Sequence, residues 1–268
     1  MPPAIVSYEP VRDIFEAMVR ERINDVPLSD LVGGGDPETV AGEIAAVLAR
    51  QVDLGSKRRV LDVGCGCGRI ATALSQHLSG ATEYIGVDIL PGFIEFGRRF
   101  ISPRYPRFRF LLLDQANLTY DFWKPKESTA DLRNLSDATP PGSIDLAISI
   151  SLFTHLDYAP ALENLGAIAR LLETPGGQAF ITVFVLDPEA REGIGGGRTG
   201  FRFAHRTPSG ELFAEKIEDP TYAVGYSVEK LDELVRSAGL CRERWIRGYW
   251  SQGKPGETFQ DVLVLRKL

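Results

Sequence analysis

The sequence predicts an α/β protein built on a doubly wound, mostly parallel sheet, and three observations carry that prediction. Short apolar runs at 60–63, 84–87, 108–113, 143–151 and 178–186 recur with helical stretches between them, which is the rhythm of buried parallel strands joined by crossovers. The first run opens into Asp62-Val63-Gly64-Cys65-Gly66-Cys67-Gly68-Arg69, with glycine at every second position before a helix. The second run ends in a carboxylate, Asp88, 20 residues beyond Gly68. Strand, glycine loop and helix together bring a ligand against bare backbone. Gly64, Gly66 and Gly68 carry no Cβ, so the chain can turn sharply there and the ligand can come close. Amides at the helix start then attract an electron-rich group.

Taken in order, 1–54 precedes the first strand. Residues 11–23 have helical spacing of apolar side chains, and Asp36-Pro37 suits an N-cap and first turn for a second helix with Val40, Ile44, Ala45, Val47 and Leu48 on one face. This part reads as a helical cap, lying over a ligand mouth or covering a sheet edge. A helix at 69–78, stopped by Gly80, follows the glycine loop. Next come the strand ending at Asp88, a helix at 92–101, and the third strand, with Asp114 at its end. The link 117–142 is longer than usual. Its Tyr120, Phe122 and Trp123 suit a substrate wall or a small core of the insert's own. The fourth strand, 143–151, runs into Leu152-Phe153-Thr154-His155-Leu156, and Asp157 can cap the helix that continues to Leu172. After the fifth strand, 187–226 breaks the repeat. Gly193-Ile194-Gly195-Gly196-Gly197 reads as flexible, and the alternating stretches on either side of Pro208-Ser209-Gly210 read as a hairpin, together a lid. Ser227 starts a helix ending near Gly239, and 242–250 and 261–266 read as a final antiparallel pair. The organisation is therefore a cap at 1–54 and a main domain at 55–268, with the insert at 117–142 and the lid at 187–226.

Composition bounds the function. The 268 residues suffice for one α/β domain with a sizeable core. A formal net charge of −6 argues against a nucleic-acid partner, which usually meets a basic surface. No N-terminal apolar segment resembles a signal peptide and no run is long enough to span a bilayer, so the reading is a cytoplasmic protein, off the membrane, with reduced thiols. Cys65 and Cys67 lack a second pair and do not make a zinc site.

The chain resembles the bacterial class I S-adenosylmethionine-dependent methyltransferases, most of them uncharacterised. Asp-x-Gly-x-Gly-x-Gly from Asp62 to Gly68 looks like their motif I. The likeness continues through Val32-Gly33-Gly34-Gly35-Asp36, Gly86-Val87-Asp88-Ile89, Tyr105-Pro106-Arg107-Phe108-Arg109-Phe110, Ser151-Leu152-Phe153-Thr154-His155-Leu156, Gly248-Tyr249-Trp250 and Gln260-Asp261. Cys67 departs from the aliphatic residue common in relatives and still fits sterically. The resemblance implies a seven-stranded Rossmann-like sheet with its last strand antiparallel. It implies S-adenosylmethionine as cofactor and S-adenosylhomocysteine as its product. It also implies cofactor contacts at Asp62, Gly64, Cys65, Gly66, Gly68, Arg69, Asp88, Ile89, Asp114, Gln115 and Ser151. Asp88 would accept both ribose hydroxyls. Asp114 and the amide of Gln115 would meet the adenine.

Competing readings fall on particular residues. A dinucleotide frame counted from Gly64 puts Arg69 where the third glycine belongs, against a dehydrogenase. The fourth strand ends in Ser151-Leu152-Phe153-Thr154, without the acidic cluster of a metal-assisted enzyme or the Pro-Pro-aromatic motif of nucleic-acid amino-methyltransferases. The chain reads as a small-molecule methyltransferase, O-directed, on a sugar or secondary-metabolite type of acceptor. The alternative is a partner subunit that binds cofactor and does no chemistry. His155 is the candidate base, because an imidazole titrates near neutral pH and can take a hydroxyl proton; its other role would be to order the pocket. His77 reads as structural, and His205 is a second choice. The acceptor, the oligomeric state and the atom methylated stay open.

Overall fold

A computed structural model describes residues 7–23, 25–31, 35–113, 139–253 and 256–268. Within these, the chain divides into two compact units, one ending at Leu113 and one running from Thr139 to Leu268. Of the insert at 117–142 only 139–142 is described; 117–138, with Asp114 and Gln115 before it, lies outside the described residues, as does the 32–34 part of the glycine-rich turn.

In the first unit, three strands pair in parallel in the order β3-β2-β1: β1 (Arg59–Val63), β2 (Glu83–Asp88) and β3 (Phe108–Leu112). Their register sets Val63 opposite Val87 and Asp88 opposite Leu112, so the glycine loop and Asp88 leave the same end of the strands. Leu61, Ile85, Val87 and Phe110 are buried, as strands covered on both faces require. The expected cap begins with Arg12–Arg20 and continues with Pro37–Gln51, where the Asp36 carboxylate accepts the Thr39 amide at 2.8 Å. That longer helix packs against the helix that follows the glycine loop. The loop helix is shorter than expected, Arg69–Leu74, with turns in place of a continuation to 78. The 92–101 helix is present, α-helical over Pro91–Phe96 and widening to a π-helix over Gly97–Ile101.

The second unit holds β4 (Leu146–Ser149), β5 (Gln178–Val185), β6 (Leu240–Ile246) and β7 (Asp261–Lys267). β4 runs parallel to β5, while β7 lies antiparallel between β5 and β6, giving β4-β5-β7-β6. Among the described residues these are the seven principal strands, with β7 reversed as expected, and a short strand, Val224–Tyr226, pairs in parallel with β5. Asp157 caps Tyr158–Leu171 and Ser227 caps Val228–Ser237, as their positions predicted.

Three expectations need correction. The sixth strand is Leu240–Ile246 rather than 242–250, because the buried Asp261 carboxylate accepts the Gly248 amide at 2.9 Å and the Trp250 indole at 2.7 Å and so draws that segment out of the ladder. Gly193 is no hinge. It lies in the helix Pro188–Gly195, and a Cβ there would come 2.0 Å from the Ser251 carbonyl oxygen, so glycine serves close packing. The hairpin is present but short, His205–Arg206 against Phe213–Ala214. Residues 201–204 stay out of it: Phe203 is left-handed at φ 47°, and the Glu215 carboxylate accepts the amides of Arg202 and Phe203 at 2.6 and 2.8 Å. Phe203 then packs into an aromatic cluster with Phe184 and Trp250.

Candidate functional site

The first unit gathers most of the residues expected to hold a nucleoside. Gly64, Gly66 and Gly68 take φ of 75°, 54° and 86°, the left-handed region that favours glycine. At Gly68 the restriction is doubled, since a Cβ would strike Ile101 at 2.5 Å. The amides of Gly64 and Cys65 both reach the Val87 carbonyl, at 2.9 and 3.0 Å, which ties the loop to β2. Asp88 completes the tie: its Oδ2 accepts the Gly66 amide at 2.9 Å and its Oδ1 accepts the Leu90 amide at 3.0 Å. The carboxylate's four lone pairs outnumber these backbone donors, so it keeps capacity for a ligand hydroxyl. Burial pushes the Asp88 carboxyl up, and the backbone amides at Leu90 and Gly66 oppose it. Ile89, next in the chain, is half-buried.

Beneath the loop, Asp62 is 1% exposed and takes the Tyr84 hydroxyl on Oδ2. Burial pushes its carboxyl up to about 7; the Asp88 charge adds to this, and the Tyr84 bond and the Arg69 charge oppose it. Arg69 is buried too, which lowers its own pKa. Cys65 and Cys67 are both buried; burial raises the Cys65 thiol and pushes that of Cys67 up to about 12. They line the loop as neutral thiols, without the thiolate character of a nucleophile. Glycine backbone plus an outward carboxylate is a donor set that fits an adenosine-bearing cofactor.

The second unit carries Ser151 and His155. Ser151 is left-handed at φ 61°, a conformation costing a non-glycine residue about 1–3 kcal/mol, and its surroundings hold it there. Its amide donates to Thr182 Oγ1 at 2.7 Å and its hydroxyl to Gln260 Oε1 at 3.0 Å, while its carbonyl accepts the Thr154 hydroxyl at 3.1 Å. His155 closes the short turn Phe153–His155 and is half-buried. Its Nδ1 stands 2.8 Å from the Thr221 carbonyl oxygen. A carbonyl only accepts, so Nδ1 carries the proton in the neutral ring, and Nε2 holds the lone pair. Burial lowers the His155 pKa, with the carbonyls of Thr221 and Tyr222 and the Asp219 charge pulling the other way. The net lowering favours the neutral imidazole.

Several contacts at this site could not be read from the sequence. The Tyr226 hydroxyl meets the carbonyls of Phe153 and Leu156, on either side of His155, at 2.7 and 3.1 Å. Asp157 accepts the Ser209 amide and hydroxyl at 2.9 and 2.6 Å, fixing the hairpin turn. Asp261 was noted only as part of a pattern; it takes four donors, from Val185, Gly248, Trp245 and Trp250. His77 sits in a turn past the loop helix, half-buried, and His205 lies on the short hairpin strand. Among the described residues no group of three or more His, Cys, Asp or Glu is placed to hold a metal. Nor, among them, is any helix long and apolar enough to cross a membrane.

Known proteins bear on this geometry. A family profile described as a methyltransferase domain matches residues 38–239. The mitomycin 7-O-methyltransferase MmcR is similar with a TM-score of 0.55 and 16% identity, over 86% of this chain and 53% of its own. This chain thus spans about half the length of that protein. The Burkholderia thailandensis 1,6-didemethyltoxoflavin-N1-methyltransferase, solved with 1,6-didemethyltoxoflavin and S-adenosylhomocysteine, gives a TM-score of 0.53 and 17% identity, over 100% of this chain and 93% of its own. A magnesium protoporphyrin IX methyltransferase from Synechocystis, solved with S-adenosylhomocysteine, gives 0.53 and 14%, over 97% and 94%. At such identities the likeness shows the fold, the α/β class expected from the sequence.

Proposed function

The chain belongs to the methyltransferase-domain family, in its class I S-adenosylmethionine-dependent form, and from that premise we propose that it methylates a hydroxyl of a small molecule. The observation that carries the choice of oxygen is the His155 ring: Nδ1 is committed to the Thr221 carbonyl, so in the neutral ring the lone pair that can accept a proton is on Nε2. A hydroxyl needs such a base as its oxygen becomes a nucleophile, whereas an amine or carboxylate does not. A sugar or secondary-metabolite acceptor is the class we assign.

In this reading Asp88 holds the ribose hydroxyls, and Asp62, Gly64, Cys65, Gly66, Gly68, Arg69 and Ile89 shape the loop around the nucleoside and the amino-acid tail. Asp114 and Gln115, outside the described residues, are assigned to the adenine, and Ser151 to a further cofactor contact. Bound there, the cofactor supplies an electrophilic methyl group on a sulfonium. The protein's own part is to orient that group and the acceptor in line, and to take the hydroxyl proton on His155 Nε2. A cytoplasmic setting suits the three reduced cysteines.

The test is a panel of phenols and hexoses incubated with S-adenosylmethionine, read as S-adenosylhomocysteine formed and as the position of the transferred methyl. An O-methyl product supports the proposal. An N- or C-methyl product, or cofactor binding with no turnover on any acceptor, overturns it, the latter favouring a binding-only partner subunit.

A further inference from the structure

We propose that Tyr226 is the positioning residue of His155: its buried hydroxyl, shared between the carbonyls of Phe153 and Leu156, holds the turn that keeps Nδ1 on the Thr221 carbonyl and leaves Nε2 to take the proton. The inference rests on the reading of His155 as the base and adds the device that aims it.

The turn is weakest at its far end. A three-residue 3-10 turn has poor hydrogen-bond geometry and little intrinsic stability. Its first closing bond, His155 amide to Leu152 carbonyl, is sound at 2.9 Å, but its last, Leu156 amide to Phe153 carbonyl, is stretched to 3.4 Å. The same Phe153 carbonyl accepts the Tyr226 hydroxyl at 2.7 Å, so the tyrosine is its principal partner. The second, longer contact to the Leu156 carbonyl at 3.1 Å places the hydroxyl across both ends of the turn. A hydroxyl has one proton, and here it is shared between two acceptors that burial would otherwise leave short of donors. Burial raises the phenol further from ionisation, so the group remains a donor and takes no part in proton transfer itself.

Tyr226 is in turn anchored. It is fully buried, pairs with Val185 on β5, and its carbonyl accepts the Leu186 amide at 2.8 Å. Thr221, five residues earlier, is steadied by its own hydroxyl on the Asp219 carboxylate at 2.9 Å. One stretch, 221–226, therefore grips the histidine turn twice: at the imidazole through a backbone carbonyl, and at the turn's backbone through a phenol. The first grip selects the tautomer and the second fixes the distance over which it acts. A tyrosine serving only as core filler would need its ring and not its hydroxyl.

The decisive experiment is a two-bond proton–nitrogen correlation on protein labelled with nitrogen-15 histidine, which contains only His77, His155 and His205. Above its pKa, His155 should report a protonated Nδ1 and an unprotonated Nε2. In Tyr226→Phe the ring is retained and the hydroxyl removed. The His155 signal should then move toward a mixture of tautomers. With the phenol or hexose that turns over best, kcat should fall about 10- to 100-fold, while S-adenosylmethionine affinity stays at the wild-type value. Leu234→Ala, a buried substitution in the helix Val228–Ser237, should lower the melting temperature and leave the tautomer alone. A wild-type His155 protonated on Nε2 overturns the proposal, as does Tyr226→Phe with the wild-type tautomer and kcat. Should Tyr226→Phe fail to fold, hydroxyl-proton exchange in the wild type decides: slow exchange at Tyr226 supports the bridge, and exchange as fast as an exposed phenol's overturns it. A tautomer that moves in Tyr226→Phe while His155→Gln turns over at full rate supports the positioning and removes the base reading instead.

Discussion

The Asp88 carboxylate holds the Gly66 amide at 2.9 Å, so the residue expected to bind the ribose also shapes the loop beside it. Asp88→Ala should therefore lose more than a ligand contact. Calorimetric titration should show S-adenosylmethionine and S-adenosylhomocysteine binding to the wild type, with no response to NAD. The variant should bind at least tenfold more weakly, since each charge-assisted bond is worth about 1.5–3 kcal/mol. Wild-type affinity in Asp88→Ala would remove the ribose assignment.

Proton transfer at His155 has a pH signature. Burial lowers its pKa from the ordinary 6.5, and only the neutral ring can accept a proton. The rate should thus be flat through pH 7 and fall on the acid side, with its midpoint below 6.5. His155→Gln should lower turnover by about 10²- to 10⁴-fold and abolish the acid limb, with cofactor affinity little changed. An acid limb that survives in the variant would assign it to another group and leave His155 an ordering role.

Asp261 concentrates four donors on one buried carboxylate. Asp261→Asn turns one oxygen into a donor facing donors, so the variant should lose about 2–4 kcal/mol of stability in urea unfolding. The tryptophan fluorescence of Trp245 and Trp250, both bonded to Asp261, should shift in the native state. An unfolding midpoint like the wild type's would show that the hub is dispensable.

The segment before the hairpin is pinned at Glu215. Hydrogen exchange should find the amides of Arg202 and Phe203 protected even without ligand, because both donate to that carboxylate. Glu215→Ala should speed their exchange at least tenfold, while the amides of Pro188–Gly195 stay as they were. Equal exchange in both proteins would mean the bonds do not persist in solution.

Close packing at Gly193 gives a further test. Gly193→Ala would force a methyl against the Ser251 carbonyl oxygen, where 2.0 Å is available, so the melting temperature should drop by several degrees. Gly195→Ala, where nothing lies within 4 Å of the added Cβ, should match the wild type.

What the sequence revealed was set by local chemistry. The glycines of the loop announced their backbone because alternation of that kind has few other uses, and Asp36, Asp157 and Ser227 announced helix starts through the capping reach of short polar side chains. What stayed hidden depends on partners far along the chain. Tyr226 lies in a β-rich apolar stretch and reads as core, since nothing nearby reveals that its hydroxyl meets Phe153. Gly193 reads as a hinge until the Ser251 carbonyl is laid on it. The segment 242–250 reads as one strand, and only Asp261 explains why the chain leaves the ladder after Ile246. Likewise the short hairpin follows from Glu215 capturing two amides that a ladder would have used.

The two loop cysteines have a practical consequence. Both are buried, and both are held in the unreactive thiol form at neutral pH, whereas Cys241 on β6 is partly accessible. A maleimide dye should therefore attach at a single position in the unaltered protein, with no cysteine replacement. The label would sit at the start of β6, opposite Arg266 of β7, and give a fluorescent handle for titrating acceptors that have no absorbance of their own.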